Sequence, residues 1–476
     1  MTNSSAANGN PGRVLTAGTA RVVITPPVGI GMAGFAGRPP SIGVHDDLTA
    51  TALVLSERDA AGVEGEAADD LDSRVAIVAL DLIGLRAETL VAPIKEQVRA
   101  VTGIPPERVF LNCSHTHYGP AVGQEREGGD TAVANAYGEA LPHHVAGVIA
   151  VADAARRPVT LAAGRGGVRV GINRRERKED GRIVLGQNPE GTLDSEVQVW
   201  RFDAAGDDTP EPGAPLGWVR RSAEPVAVLV NYACHGVSLS SQIRLMSADF
   251  MGVMRGVVED LVGGAALYVQ GACGNINPSL MGPNWDHPHR LGHALGAEAA
   301  RVALLAQPIE SLPLRVARES LDLPALTPPS VEEGRARVTA LEVERERLDQ
   351  NNVPAGAGSR QWNTRRLERA RQGLAALERG ETLPPVAAEI GALRIGDAAL
   401  STNPSELFCE IGLAIKRDSP LPWTAVAGYT DGSAGYIPTR AAYPQGGYEV
   451  DSACRVNPEA GEMVEETSIR LLRSLA

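Results

Sequence analysis

The chain has 476 residues and a formal charge of −13, with 43% apolar and 22% charged residues. That composition excludes a wholly disordered chain. The acidic balance also excludes the basic stripe of a nucleic-acid-binding protein. Aromatic residues are sparse at 4%, so the core must be built mainly from Val, Leu, Ala and Ile.

Residues 1–13 are polar and contain Gly and Pro, which predicts a frayed tail. Strand-like runs follow at Ala20–Ile24, Thr51–Leu55, Val75–Leu80 and Val109–Asn112. The acidic, Gly- and Ala-rich stretch Glu57–Asp72 predicts an exposed, mobile connection between the second and third. Helical patterns occupy Arg86–Val101 and Tyr137–Ala155, followed by a strand at Val226–Ala233. A helix is expected over Phe250–Val262, a strand over Ala266–Gln270 and a helix from Arg290 to Leu305. Residues 330–379 are charge-dense and break at Asn351-Val-Pro-Ala-Gly. They predict a helical hairpin inserted between strands near Leu314–Leu323 and Val386–Leu400. Strands alternating with helices, many strands being continuous apolar runs, give an α/β fold with mixed sheets flanked by helices.

Five cysteines without a CxxC predict reduced thiols in a cytoplasmic protein. No secretory pattern opens the chain, and no run reaches the ~20 apolar residues of a transmembrane segment.

The densest polar cluster, Asn112-Cys113-Ser114-His115-Thr116-His117-Tyr118-Gly119-Pro120, directly follows a predicted strand. Ligands of α/β sheets gather at the carboxyl ends of strands. In extended backbone His115 and His117 would project to one side as a pair of metal-ligating imidazoles. Two more strands end in the same manner. Val226–Ala233 runs into Cys234-His235-Gly236, and Ala266–Gln270 into Gly271-Ala272-Cys273-Gly274-Asn275-Ile276-Asn277-Pro278. The last turn offers backbone N–H groups and two carboxamides. Imidazole nitrogens suit zinc, and a carboxylate commonly completes such a set. Neither a G-x-S-x-G elbow nor a Walker A sequence is present. Cys113, Cys234 and Cys273 are expected as buried fillers. Of the other histidines, His287 and His289 form a second His-x-His, in a Pro-flanked loop with no strand before it. His45, His143, His144 and His293 lack a comparable setting.

These motifs resemble the neutral/alkaline ceramidase family. The resemblance starts at Ala17-Gly-Thr-Ala-Arg-Val-Val-Ile-Thr-Pro-Pro and Gly31-Met32-Ala33-Gly34. It continues through His115-Thr-His-Tyr-Gly-Pro, Asn173-Arg174, Cys234-His235-Gly236-Val-Ser and Ser247-Ala248-Asp249…Gly252. Pro404-Ser405-Glu406-Leu-Phe and the tyrosine-rich run from Gly428-Tyr429 through Tyr436 to Tyr448-Glu449 close the ordered set. The resemblance implies one large zinc hydrolase domain over residues 14–476. It implies one zinc ion per chain, held by His115, His235, Glu406 and Tyr436, with Glu410 as the alternative carboxylate. His117, Arg174 and Tyr448 would assist, and Gly274, Asn275 and Asn277 would face the substrate as oxyanion donors. The implied reaction is hydrolysis of an amide bond in a ceramide-like N-acyl substrate by a zinc-activated water, a step of lipid and sphingolipid metabolism. A soluble amide, ester or sugar-derived substrate is the alternative, and a non-catalytic metal-binding protein of the same fold is another. Homo-oligomerisation stays open. Asn277 stands where the family has a serine, so a serine mechanism through that position is excluded. The family's C-terminal β-sandwich-like domain has no counterpart before the chain ends at Ala476. That, with the absent signal, weighs toward a soluble substrate.

Overall fold

The computed structural model describes residues 12–59, 73–122, 130–205, 224–353 and 358–476. The layering of the molecule can be followed from the strand Val75–Leu80. Ala76, Val78 and Leu80 enter one apolar cluster, shared with the helices Ala92–Thr102, Thr131–Ala154, Asp249–Val262 and Asp286–Leu304. Val75, Ile77 and Ala79 enter another, shared with Leu393, Ile395, Leu400 and Ala425 of a second sheet. Successive residues of a strand face opposite sides, so a strand between two layers is apolar throughout. A third cluster packs the far side of the second sheet on the helices Cys409–Asp418 and Ala460–Leu475. The order is helices, main sheet, second sheet, helices, which is the mixed α/β architecture expected.

Nine strands form the main sheet among the described residues. Their order is Ala265–Gln270, Pro225–Tyr232, Glu196–Ala204, Arg157–Gly167, Arg13–Val23, Thr49–Asp59, Val75–Leu80 and Val109–Cys113, with Gln307–Ile309 added beside Arg157–Gly167. The inner pairs are antiparallel and the two outermost pairs parallel. Parallel pairing puts two strand ends side by side at each extremity. These extremities then meet: the Gln270 N–H donates to Asn112 Oδ1 at 2.8 Å.

The second sheet runs Leu314–Leu323, Val386–Ile395, Ala398–Thr402, Trp423–Ala427. Its first two strands pair continuously from Leu314↔Ile395 to Leu323↔Val386. The hairpin of helices Val331–Gln350 and Gly358–Glu378 leaves the end of that ladder as the charge pattern predicts, with Ser330 capping its first helix.

Several boundaries differ from expectation. The first strand already opens at Arg13, while residues 1–11 of the expected tail lie outside the described residues. The expected connection Glu57–Asp72 is strand through Asp59, and residues 60–72 lie outside the described residues. The helix expected from Tyr137 begins at Thr131, because the Asp130 carboxylate accepts from the N–H groups of Ala132 and Val133. The helix expected from Arg290 begins at Asp286, which puts His287 and His289 in its first turn instead of a loop. All five cysteines are buried and free. No helix among the described residues is long and apolar enough to cross a membrane.

Candidate metal centre

His115 and His235 come from opposite extremities of the main sheet, just past the strands Val109–Cys113 and Pro225–Tyr232. Gln270, at the end of a third strand, ties both loops together. Its amide donates to Ser114 O and Cys234 O, each at 2.8 Å, and its oxygen accepts from Cys234 N at 3.2 Å. The loops also pair directly, with the His117 N–H donating to Gly236 O at 2.9 Å. A Cβ at position 236 would lie 2.9 Å from His115 O and 2.7 Å from Met251 Cε, so this approach requires glycine. The His115 and His235 rings stand 4.7 Å apart.

The pair His115/His117 is not presented by extended backbone, as the sequence pattern suggests. His115 has φ 61°, in the left-handed region. Tyr429, whose ring lies 4.1 Å from that of His115, has φ 53°. Such backbone is costly for residues other than glycine and gathers where function fixes a side chain.

Main-chain carbonyls set the tautomers. His115 Nδ1 lies 2.5 Å from Ile83 O, and His235 Nδ1 lies 2.7 Å from Cys273 O and 3.1 Å from Ile276 O. A carbonyl only accepts, so each Nδ1 carries the hydrogen and each Nε2 presents a lone pair. Both Nε2 atoms converge on one carboxylate oxygen. Glu406 Oε2 is 3.4 Å from His115 Nε2 and 3.2 Å from His235 Nε2. Glu406 lies in the short strand Ser405–Leu407, where its direct partner across a parallel ladder is Tyr436. The Tyr436 hydroxyl is 3.4 Å from His235 Nε2. His117 Nε2 stands 3.3 Å from His115 Nε2, and its buried Nδ1 has no hydrogen-bond partner.

This donor set fits a zinc ion. Ligand bonds of about 2.0–2.1 Å in a tetrahedron put neighbouring donors about 3.3–3.4 Å apart. The Glu406–His115, Glu406–His235 and Tyr436–His235 separations of 3.4, 3.2 and 3.4 Å agree with that spacing. Among the described residues, the ligand atoms of His115, His117 and His235 all lie within 4.8 Å of one another, and Glu406 reaches two of the three. The second His-x-His, at 287 and 289, is not in this group. Burial pushes the His235 pKa down to about 4, aided by the Arg174 guanidinium. Burial and the two neighbouring imidazoles put His117 well below its ordinary value.

Arg174 reaches the same cluster from the strand Gly171–Arg177. Its buried guanidinium donates to the Tyr436 hydroxyl at 2.9 Å and to Asn277 Oδ1 at 3.1 Å, and lies 3.2 Å from His235 Nε2. The Tyr448 ring is 5.8 Å from that of Tyr436 and stacks beneath the same guanidinium. Two of the expected substrate-facing residues are turned elsewhere. The Gly274 N–H donates to Leu407 O, and a Cβ at 274 would lie 2.3 Å from Glu406 O. Asn275 accepts from Cys409 N at 2.9 Å and donates to Glu410 at 2.8 Å. Both therefore brace the segment carrying Glu406. Of the two carboxylates weighed from sequence, Glu406 faces the imidazoles and Glu410 faces Asn275. Gln270 carries no motif signal, and its part in joining the loops emerges only from the sheet order.

No protein-family model matches the chain, and no curated protein matches it. Among solved structures it is similar to the neutral ceramidase from Pseudomonas aeruginosa. The identity is 19% and the TM-score 0.69, over 97% of this chain and 74% of that one. It is also similar to a ceramidase complexed with C2, at 18% identity and TM-score 0.71, over 97% of this chain and 75% of that one. This chain has the fold of these ceramidase structures.

Proposed function

We propose that the protein is a zinc-dependent hydrolase that cleaves the amide bond of a ceramide-like N-acyl substrate. The observation that carries this reading is the convergence of His115 Nε2, His235 Nε2 and Glu406 Oε2 at 3.2–3.4 Å, with both Nδ1 atoms spent on carbonyls. The fold shared with ceramidase structures supports the choice of reaction.

Zinc held by His115, His235, Glu406 and Tyr436 would lower the pKa of a bound water to near ~7 and polarise a carbonyl oxygen. The chain's own side chains divide the remaining work. Arg174 presents guanidinium hydrogens beside Tyr436, where they stabilise negative charge growing on the amide oxygen. Tyr448, whose ring lies beside the same guanidinium, would add a hydroxyl donor. His117, kept neutral by burial, accepts a proton at a ring nitrogen and returns it to the leaving amine. Asn277 steadies Arg174, and Gly274 and Asn275 fix Glu406. The products are a carboxylate and an amine.

Metal analysis of the wild-type protein and of His235→Ala tests the ligands. One zinc per chain is expected in the first and loss of zinc in the second; full occupancy in the variant overturns the assignment. A panel of long-chain N-acyl lipids against short soluble amides and esters tests the substrate. Turnover of the short soluble compounds alone removes the ceramide-like part of the reading.

A further inference from the structure

We propose that Glu449 is a positioning residue for this reaction, acting through Arg174; the proposal rests on the reading of the site given above. Glu449 lies at the start of the π-helical turn Tyr448–Ala453 and is 1% exposed. Its Oε1 accepts from Arg174 Nε at 2.7 Å, and its Oε2 accepts from Arg175 Nη1 at 2.9 Å. Neighbours in a regular strand point to opposite faces. Here the ladder shifts register between Asn173 and Arg175, a bulge that re-aims the two arginines so that both reach one carboxylate. Arg175 is pinned further by donating to Gly446 O at 2.9 Å.

The guanidinium is a rigid planar fork, so fixing its Nε edge fixes the direction of both Nη groups. With Glu449 on that edge, Nη2 points at the Tyr436 hydroxyl and Nη1 at Asn277 and His235. The side-chain hydrogen bonds of Glu449 go to Arg174 and Arg175 and not to a metal donor. Its contribution is orientation and charge, since one carboxylate between two guanidiniums leaves a single net positive charge next to Glu406. Burial works against ionisation of Glu449, but Arg174 and Arg175 hold it below the usual carboxylate range.

Glu449→Gln discriminates this role. A glutamine has one accepting oxygen, so one of the two arginines must face an NH₂ group and turn away. The expected result is one zinc per chain, kcat lower by about 100-fold and KM within about 3-fold, the size of effect that misorientation produces. Glu449→Asp keeps both accepting oxygens on a shorter stem and should recover about 10-fold of that loss. A second readout is the visible spectrum of the cobalt-loaded protein. In Glu449→Gln the band should shift without loss of cobalt uptake, because Tyr436 loses its 2.9 Å donor. An unchanged kcat with an unchanged spectrum overturns the proposal. So does loss of metal, or an aspartate variant as impaired as the glutamine one, since either marks a merely structural role. If the cobalt-loaded wild type cleaves nothing in the substrate panel, the functional reading fails. The spectral comparison then still decides whether Glu449 holds Arg174 on Tyr436.

Discussion

The chain carries His-x-His twice, and the two copies have different fates. His115 and His117 follow a buried strand, face a third histidine and a carboxylate, and have their neighbourhood braced by Gln270. His287 and His289 sit in the first turn of the helix Asp286–Leu304, where residues two apart point away from each other. His289 is exposed, and its ring lies 6.2 Å from His293 and 6.3 Å from His45, which itself stacks on Trp285. Spacing alone therefore does not distinguish a metal site. What distinguishes it is a carbonyl partner for the Nδ1 of His115 and of His235, and a second element that brings Glu406 to both of their Nε2 atoms.

The largest effect that separates the copies is expected from His235→Ala. It removes a donor shared by Glu406, Tyr436 and Arg174, so zinc should be lost and turnover should fall by at least ~1000-fold. Metal analysis and initial rates check both. Retained zinc would place the metal, if any, with the other histidines.

Next comes Gln270→Ala, which touches no donor atom. It strips Ser114 O and Cys234 O of their buried donor at a cost of about 1–3 kcal/mol each, so about 4 kcal/mol of stability should disappear. Urea unfolding measures it. A loss below about 1 kcal/mol would show that the loops hold together without Gln270.

The difference between the copies was only partly legible in the sequence. Apolar strands ending in Ser114-His115, Cys234-His235 and Cys273-Gly274 pointed to a common site, since a run buried on both faces must release its polar residues at its end. The hairpin was legible because its charged faces keep helical spacing. Other features were not. The strand Arg157–Gly167 carries Gly164, Gly166 and Gly167, which weigh against a strand locally, yet the helix Asp286–Leu304 packs on it. The sheet order that brings Asn112 against Gln270 joins residues 158 positions apart and leaves no local trace. The ladder register that sets Glu406 beside Tyr436 is likewise a tertiary fact. The resemblance implied both as zinc ligands, while spacing alone would not have separated Glu406 from Glu410.

A smaller effect follows from pH, in the metal-free protein. His235 has a folded pKa of about 4 against an ordinary 6.5. Between those values the unfolded chain binds a proton there that the folded chain refuses. Its contribution to stability is therefore complete above pH 6.5 and is lost as pH falls toward 4, by about 3 kcal/mol in all. His117 shifts in the same direction. Asp249, pushed up by burial from 3.8 to about 6, works with the opposite sign, favouring the fold below that range. The variant isolates the histidine: the wild-type stability between pH 4 and 6.5 should depend on pH by about 3 kcal/mol more than that of His235→Asn. Parallel curves from denaturant titrations would refute a neutral, buried His235.

The smallest effect is expected from His289→Ala, and it is the sharpest control on the comparison. An exposed residue in a helix's first turn contributes within about 0.5 kcal/mol to stability. Zinc content and kcat should equal those of the wild type, because among the described residues His289 belongs to no group of ligand atoms in mutual reach, whereas Glu406 and the Cys273 carbonyl meet the two ring nitrogens of His235. If His289→Ala lowered zinc content as His235→Ala should, the rule drawn from the first motif would fail. Imidazole spacing would then bind metal without the hydrogen bonds that fix its tautomer.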